Sequence, residues 1–277
     1  MCTHPRHAAH SFGYRQALRA HTNVVSQSFQ AAILRESQPH PLYVHHFDSQ
    51  RRPPYSESDV TLESPVFRAR ADLATARGST SHDRLELTQL LQRVTDLFID
   101  GGSTDDPGMS SSSTVSEDLG PLCGCILKLP KAAVQSHGDN HPVWRYEACR
   151  LAAVIYATAI HRGVPLSVAA TQATTPLIPQ LKAALESSGI GDCWGGMVGM
   201  LFWTALVGGA AATAGVTEEY KQARQFCAAA AVQCSIKLGF KHGPAVMESL
   251  RRLLRVVEKL EELQPRQGGQ NAVMVGT

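Results

Sequence analysis

The sequence predicts an all-α protein, a helical bundle or array around a central apolar, glycine-rich helix, preceded by a disordered amino-terminal region. Three observations predict it. Apolar residues recur at spacings of three and four from Arg84 onward, which is the period of a helix face. The breaks between these runs carry helix punctuation, with Asn or Thr ahead of a run and Gly and Pro behind it. No apolar runs of strand type are present to build a parallel sheet.

Composition agrees with this reading. Hydrophobic residues make up 43% of the 277 positions but aromatics only 6%, and Ala and Leu concentrate after residue 140. A core made of such residues packs helix on helix. The length suffices for one large domain or two small ones.

Residues 1–83 mix Pro, Ser, His, Gln and Arg, with Pro53-Pro54 in their midst, and are expected to be largely irregular. Two short patches there have helical character, around Tyr14 to Ala20 and Val24 to Arg35, the second with Phe29, Ile33 and Leu34 near helical spacing. Residues 84–264 carry the helical domain. Its first helix runs from Arg84 to Asp100, with Leu87, Leu90, Leu91, Val94, Leu97 and Phe98 on its apolar side. Gly101-Gly102 stop it, and the Ser-, Asp- and Gly-rich stretch 101–120 reads as a flexible linker.

The next helix spans Pro142 to Arg162. Asn140 is placed to cap it, Gly163 and Pro165 end it, and Ala148, Leu151, Ala152, Ile155 and Ala159 form its buried face. Another begins at Thr175-Pro176, carries Leu181, Ala184 and Leu185, and closes at Gly189. A third opens after Asp192 and continues through Trp203 to about Ala214. Thr217 then caps a fourth, with Glu218 and Glu219 against the positive end of the helix dipole and a stripe from Tyr220 and Ala223 through Phe226, Cys227, Ala230 and Cys234 to Leu238. Gly243-Pro244 restart the chain into a fifth, whose Val246, Leu250, Leu253, Val257 and Leu260 make a short heptad seam suited to packing within the domain. The tail 265–277 is expected to be frayed.

A net charge of +2 gives no footprint for a polyanion, which needs clustered Lys and Arg to displace phosphate counterions. Arg51-Arg52 is an isolated pair, and Arg251, Arg252 and Arg255 fit the charged face of an amphipathic helix. Seven cysteines behind a polar, His-rich opening with no apolar signal core fit free thiols in a reducing compartment.

The stretch from Cys193 to Thr217 contains no Asp, Glu, Lys or Arg and is long enough to cross a bilayer. Gly195 and Gly199 add the small-residue spacing of closely packed helices. Basic residues do not cluster on one flank and no aromatic belt brackets the segment, which favours a central buried helix over a membrane anchor at 193–214. Gly189, Gly191 and Gly195 imitate a nucleotide-binding turn, but a helix rather than a strand precedes them.

Cys123 and Cys125, with His137 and His141, could supply four zinc ligands, although the one-residue gap between the cysteines is too short for the usual pair. His45-His46 are adjacent and, on extended chain, point apart. Cys149, Cys227 and Cys234 lie among apolar helix neighbours as core thiols. Glu147 and Arg150, three apart, form an ion pair most simply. Were the bundle an enzyme, Tyr156, His161, Trp194 and Glu147 would be the groups to line its pocket. No catalytic, cofactor-binding or metal-ligating residue is assigned on this evidence.

The segment Trp144-Arg145-Tyr146-Glu147-Ala148-Cys149-Arg150-Leu151-Ala152-Ala153-Val154-Ile155-Tyr156 resembles a signature helix of fungal-specific transcription factor domains. Asp192-Cys193-Trp194-Gly195, with Leu201-Phe202-Trp203 and Gly208-Gly209-Ala210-Ala211, is similar to the apolar glycine-containing helix of the same family. The resemblance covers roughly residues 85–262. It implies an all-helical regulatory module, carboxyl-terminal to a six-cysteine binuclear zinc cluster, in nuclear proteins that control transcription, with no catalytic residues. This sequence departs from the pattern in one respect: its cysteines are dispersed and residues 1–83 contain only Cys2, so the DNA-reading cluster is absent. The resulting expectation is a non-enzymatic, nuclear (otherwise cytoplasmic) regulatory module without cofactor. Its partners would be other proteins, by contact with transcription machinery or by self-association, together with a small effector; DNA and membrane are not among them. The competing expectations are a helical protein anchored in a membrane by 193–214 and a helical small-molecule-binding protein or enzyme.

Overall fold

The computed structural model describes residues 24–44, 64, 82–100, 112–132, 140–173 and 175–264. Among them there is no strand. The helices longer than a single turn are α1 (Val24–Leu34), α2 (His82–Asp100), α3 (Ser112–Leu127), α4 (His141–Arg162), α5 (Leu166–Thr171), α6 (Leu177–Ser187), α7 (Val198–Ala211) and α8 (Glu218–Glu262). Short 3₁₀ turns at Ile190–Asp192, Gly195–Met197 and Ala212–Ala214 join the last three. The patch around Tyr14 to Ala20, the pairs His45-His46 and Arg51-Arg52, His137 and the tail 265–277 lie outside the described residues.

Two helices make the centre. All 14 residues of α7 are buried, and it packs against α8 along most of its length and against α4, α5 and α6. The apolar segment Gly195–Ala214 is long enough to cross a membrane by length and composition, but 83% of its most apolar 18-residue window is buried inside the protein. Alanines let α4 serve as the second centre. Ala148, Ala152, Ala153, Ala157 and Ala159 are fully covered, and α4 touches α2, α3, α5, α6 and α7. A helix buried around its whole circumference has no polar face, so its neighbours rather than its own propensity hold it.

The predicted stops and seams hold with local differences. Gly163 takes the left-handed conformation (φ 61°), and Val164 N–H and Gly163 N–H donate to the Ala159 and Ile160 carbonyls, a Schellman end to α4. At the other end, Asn140 makes no capping hydrogen bond through its side chain; Pro142 in the first turn and the Asn140 carbonyl, which accepts from Trp144 N–H, start the helix instead. Thr217 is extended (ψ 156°) at the start of α8 and also makes no side-chain cap. The expected break at Gly243-Pro244 is a kink: the helix runs from Glu218 to Glu262, with His242 at φ −132°, ψ 35°. Proline at 244 cannot donate to the carbonyl four residues back, so the ladder must bend there.

Two corrections concern the linker and the connection after α4. Within 101–120, residues from Ser112 onward are helical and continue to Leu127 despite Pro121, because Cys123 and Ile126 are buried and Leu119 and Leu122 pack against the core at the same helical spacing. Burial of that stripe outweighs the serine-rich composition that suggested a linker. After Pro165 the chain makes the six-residue helix α5, whose Leu166, Ala169 and Ala170 are buried.

Polar clamps tie the periphery to this centre. Arg252 of α8 pairs with Asp96 of α2. Lys259 Nζ donates to the Phe98 carbonyl at 2.6 Å and lies 5.2 Å from the Phe98 ring centroid, so one cation covers the carboxyl end of α2 and an aromatic face.

Candidate functional site

The groups that could line an active site do not converge. Tyr156 is buried at the α4–α7 contact, its ring edge-on to Trp203 at 5.5 Å. Thr95 Oγ1 gives its proton to the Leu91 carbonyl at 2.7 Å, so the Tyr156 hydroxyl donates to Thr95 at 2.8 Å. Burial pushes the Tyr156 phenol far above its ordinary range, with the Thr95 hydrogen bond opposing. His161 is exposed in the last turn of α4. Trp194 is buried in the turn before α7 and donates from Nε1 to Ser188 Oγ at 2.9 Å.

Glu147 and Arg150 form the pair that their spacing suggests. Arg150 Nε and Nη2 reach the two carboxylate oxygens at 2.8 and 2.6 Å, and Ala132 N–H donates to Glu147 Oε2 at 3.0 Å. The pair therefore fastens the segment after α3 onto α4, helped by Tyr146, whose hydroxyl donates to the Pro130 carbonyl at 3.0 Å. Burial alone would raise the Glu147 carboxyl, but the Arg150 guanidinium and the Ala132 amide hold it below the usual carboxylate range.

Thiols and imidazoles do not assemble into a metal centre among the described residues. Cys123 is buried while Cys125 is exposed, so the two point away from each other across α3. His141 is exposed, its Nδ1 3.1 Å from the Ser187 carbonyl. Burial pushes the Cys123 thiol up to about 11 and the Cys227 thiol up to about 12, which suits core packing and not nucleophilic attack. A cavity of only about 10 Å³, lined by Ser64, Gly199, Phe202, Leu238, Val246 and Ser249, includes none of the four nominated residues. Small-molecule sites run to roughly 300–1,000 Å³.

Two places carry unusual backbone. Cys193 and Trp194 both take left-handed conformations (φ 52° and 57°), followed by Gly195 at φ 57°. Asp192 Oδ1 accepts from Trp194 N–H at 2.9 Å, Lys237 of α8 donates to the Asp192 carbonyl, and the Cys193 and Cys234 thiols meet beneath. This tight turn occupies the place where the glycine pattern imitates a phosphate cradle. Its Gly189 is backed by His141, since a Cβ there would stand 2.8 Å from His141 Nδ1.

The second place is the end of α1. Val25, Phe29, Ala32 and Ile33 of α1 are buried in the same core as the other helices, and Leu34 reaches α7 at Gly209, where a Cβ would collide with Leu34 Cδ2. Glu36 follows in the left-handed region (φ 46°), the position where helices ordinarily place glycine. Ser37 N–H and Glu36 N–H close a Schellman end on the Ala32 and Ile33 carbonyls. The Glu36 carboxylate then accepts from Ser167 N–H at 3.2 Å, and Thr213 Oγ1, whose proton goes to the Ala210 carbonyl at 2.8 Å, lies 3.4 Å from it. Sequence reasoning marked the Val24 to Arg35 patch as helical without joining it to the domain beginning at 84; Gly209 was the available signal, a gap in an otherwise filled apolar helix that a side chain from elsewhere could enter.

No protein-family model matches this chain, and neither a curated protein nor a solved structure matches it.

Proposed function

We propose that this chain is a non-enzymatic helical regulatory module that acts through protein contacts in the control of transcription, in the manner of the fungal-specific transcription factor domains that Trp144–Tyr156 resembles. The observation that carries the reading is how the reactive side chains are used. Glu147 and Arg150 are occupied with each other and with the Ala132 amide, and Tyr156 with Thr95. Trp194 donates to Ser188, and the buried thiols are held protonated. Each of these groups makes the fold, so the surface is left to carry the function.

In this reading the module works in the nucleus and does not itself contact DNA. Full-length chain fused to a heterologous DNA-binding module in a fungal reporter strain should change reporter output by several-fold relative to the DNA-binding module alone. Unchanged output from a fusion that accumulates normally overturns the reading. So does tight, sequence-specific DNA binding by the purified chain alone. Recovery of the chain only in detergent extracts would instead favour the membrane-anchored alternative for 193–214.

A further inference from the structure

We propose that Cys193 and Cys234 form a redox modification site, a thiol pair that a hydroperoxide converts reversibly to a disulfide, tying the turn before α7 to α8. The site stands apart from the regulatory reading above and needs no partner protein. Its oxidant is a peroxide small enough to enter the turn, and a glutathione-type thiol or a dithiol returns it to the reduced state. In a reducing compartment the disulfides that form are ordinarily transient and sense oxidants.

Geometry brings the two sulfurs together from separate elements. Left-handed backbone at Cys193 (φ 52°) and Trp194 (φ 57°) reverses the chain between two 3₁₀ turns, and Cys193 is buried although Gly191, Asp192, Gly195 and Gly196 around it are exposed. Its side chain therefore lies under the turn, where its thiol hydrogen-bonds with that of Cys234, buried on α8. Lys237, one helical turn further along α8, donates to the Asp192 carbonyl and fastens the two elements side by side. Both thiols are free. Joining them brings two sulfurs already in contact to about 2 Å, a shift that the turn rather than either helix can supply. Access is over the same turn. A Cβ added at Gly191, Gly195 or Gly196 would meet open space, so nothing is packed over its outer face at these positions. Cys149, by contrast, faces Thr204 of α7, and Cys227 faces Gly208, each between packed helices.

The positions of the two thiols assign their roles. Burial, together with the neighbouring Cys193, pushes the Cys234 thiol up, and the Lys237 ammonium opposes that rise. Cys193, in the exposed turn, meets the peroxide, and Cys234 resolves the product. Cys193 Sγ attacks one peroxide oxygen, the O–O bond breaks, and the departing hydroxide takes the thiol proton as water, leaving a sulfenic acid. Cys234 Sγ then attacks Cys193 Sγ, the S–O bond breaks, and hydroxide leaves as water with the Cys234 proton. The two thiols have lost two electrons to the peroxide, and the products are one disulfide and two waters.

The test exposes the full chain, reduced and then freed of reductant, to hydrogen peroxide at neutral pH. Remaining thiols are capped with N-ethylmaleimide, and the digest is mapped without reduction by tandem mass spectrometry. A peptide cross-linked through Cys193 and Cys234 should form in more than half of the molecules while circular dichroism stays helical, and dithiothreitol should remove it. The cross-link should raise Tm by several degrees, because it restricts the unfolded chain. Cys125→Ser, which removes the exposed thiol of α3, should leave the yield and the Tm shift unchanged, whereas Cys193→Ser should lose both. Should Cys193→Ser not fold, mapping of the unaltered chain decides alone. Absence of the 193–234 link from the folded chain, or its formation only after unfolding in urea, overturns the site. So does oxidation of Cys193 to a sulfinic acid with no link to Cys234, since Cys234 would then not be the resolving thiol.

Discussion

α7 and α1 are both short apolar helices of this protein, and they are held in opposite ways. α7 is covered on all sides by apolar neighbours and contributes no charged group, whereas α1 presents one face to the core and keeps two polar side chains on that face. The difference teaches that apolarity alone does not rank a helix's place in the fold. What ranks it is how far burial runs round the circumference, since α7, with Trp203 Nε1, and α1, with Gln30 Oε1, each bury a polar atom that has no hydrogen-bond partner. Dispersion between close-packed atoms accumulates over the full circumference of α7, while α1 collects it from one side.

Damage to the centre should therefore give the largest effect. Trp203 is 1% exposed and stacks edge-on against Tyr156. Trp203→Ala should lower unfolding free energy by about 3–5 kcal/mol through lost contacts and the cavity left behind, as read from urea unfolding at constant slope. A loss below 1 kcal/mol would mean that α7 is not the centre. Gly208→Val probes the same helix from the other direction. Its Cβ would stand 2.8 Å from Leu181 Cδ2 and 3.1 Å from Cys227 Sγ, so overpacking should cost about 1–3 kcal/mol in the same measurement.

How much of this contrast could be read in the sequence follows from the same physics. α2, α4, α6, α7 and α8 announce themselves because their buried positions repeat at helical spacing and their ends carry Gly or Pro; Gly163 and the Gly243-Pro244 kink fall where expected. α5 has six residues, too few for a period to show, and exists because Leu166, Ala169 and Ala170 have a surface to cover. α3 hides behind serines, and only four apolar positions mark its face. Asn140 and Thr217 stand at the N-caps where the sequence placed them, although neither caps through its side chain, because other acceptors can meet the same need. Among the nominated site residues, Glu147 and Arg150 paired as their spacing implied, whereas the separation of Tyr156, His161 and Trp194 depends on how the helices rotate against each other, which periodicity does not encode. The socket of α1 joins residues 34 and 209, and a contact of that kind has no local signature.

Gln30→Leu should sharpen the comparison by making α1 more like α7. It removes the unpaired amide oxygen and adds apolar contact, and should raise stability by about 1 kcal/mol while slowing amide exchange across Phe29 to Ile33. An unchanged exchange rate there would show that Gln30 is satisfied in solution and that α1 lacks the weakness assigned to it.

The smallest expected effect separates the two regions by pH, because each is fastened by a carboxylate and the two carboxylates respond in opposite directions. Glu147, on α4, has its pKa held down in the fold by Arg150 and Ala132, so the native state binds fewer protons than the unfolded one near the carboxylate range. Its contribution is present above the unfolded value near 4.5 and is lost as pH falls through the depressed native value. Glu36, at the end of α1, is raised by burial in spite of hydrogen bonds from Ser167 and Leu166. The native state then binds more protons, so the contribution of Glu36 is full below the unfolded value and declines as pH rises through the raised one. Acidification from neutrality should consequently tighten α1 before it weakens the α3–α4 junction. Amide exchange at Phe29 to Ile33, corrected for intrinsic base catalysis, should slow relative to Leu151 to Tyr156 as pH is lowered toward 5, and Glu36→Gln should abolish that relative change while Glu147→Gln leaves it intact. If Glu147→Gln removes it instead, the proton is taken up at the centre of the fold, and α1 and α4 are one cooperative unit rather than a latch and its frame.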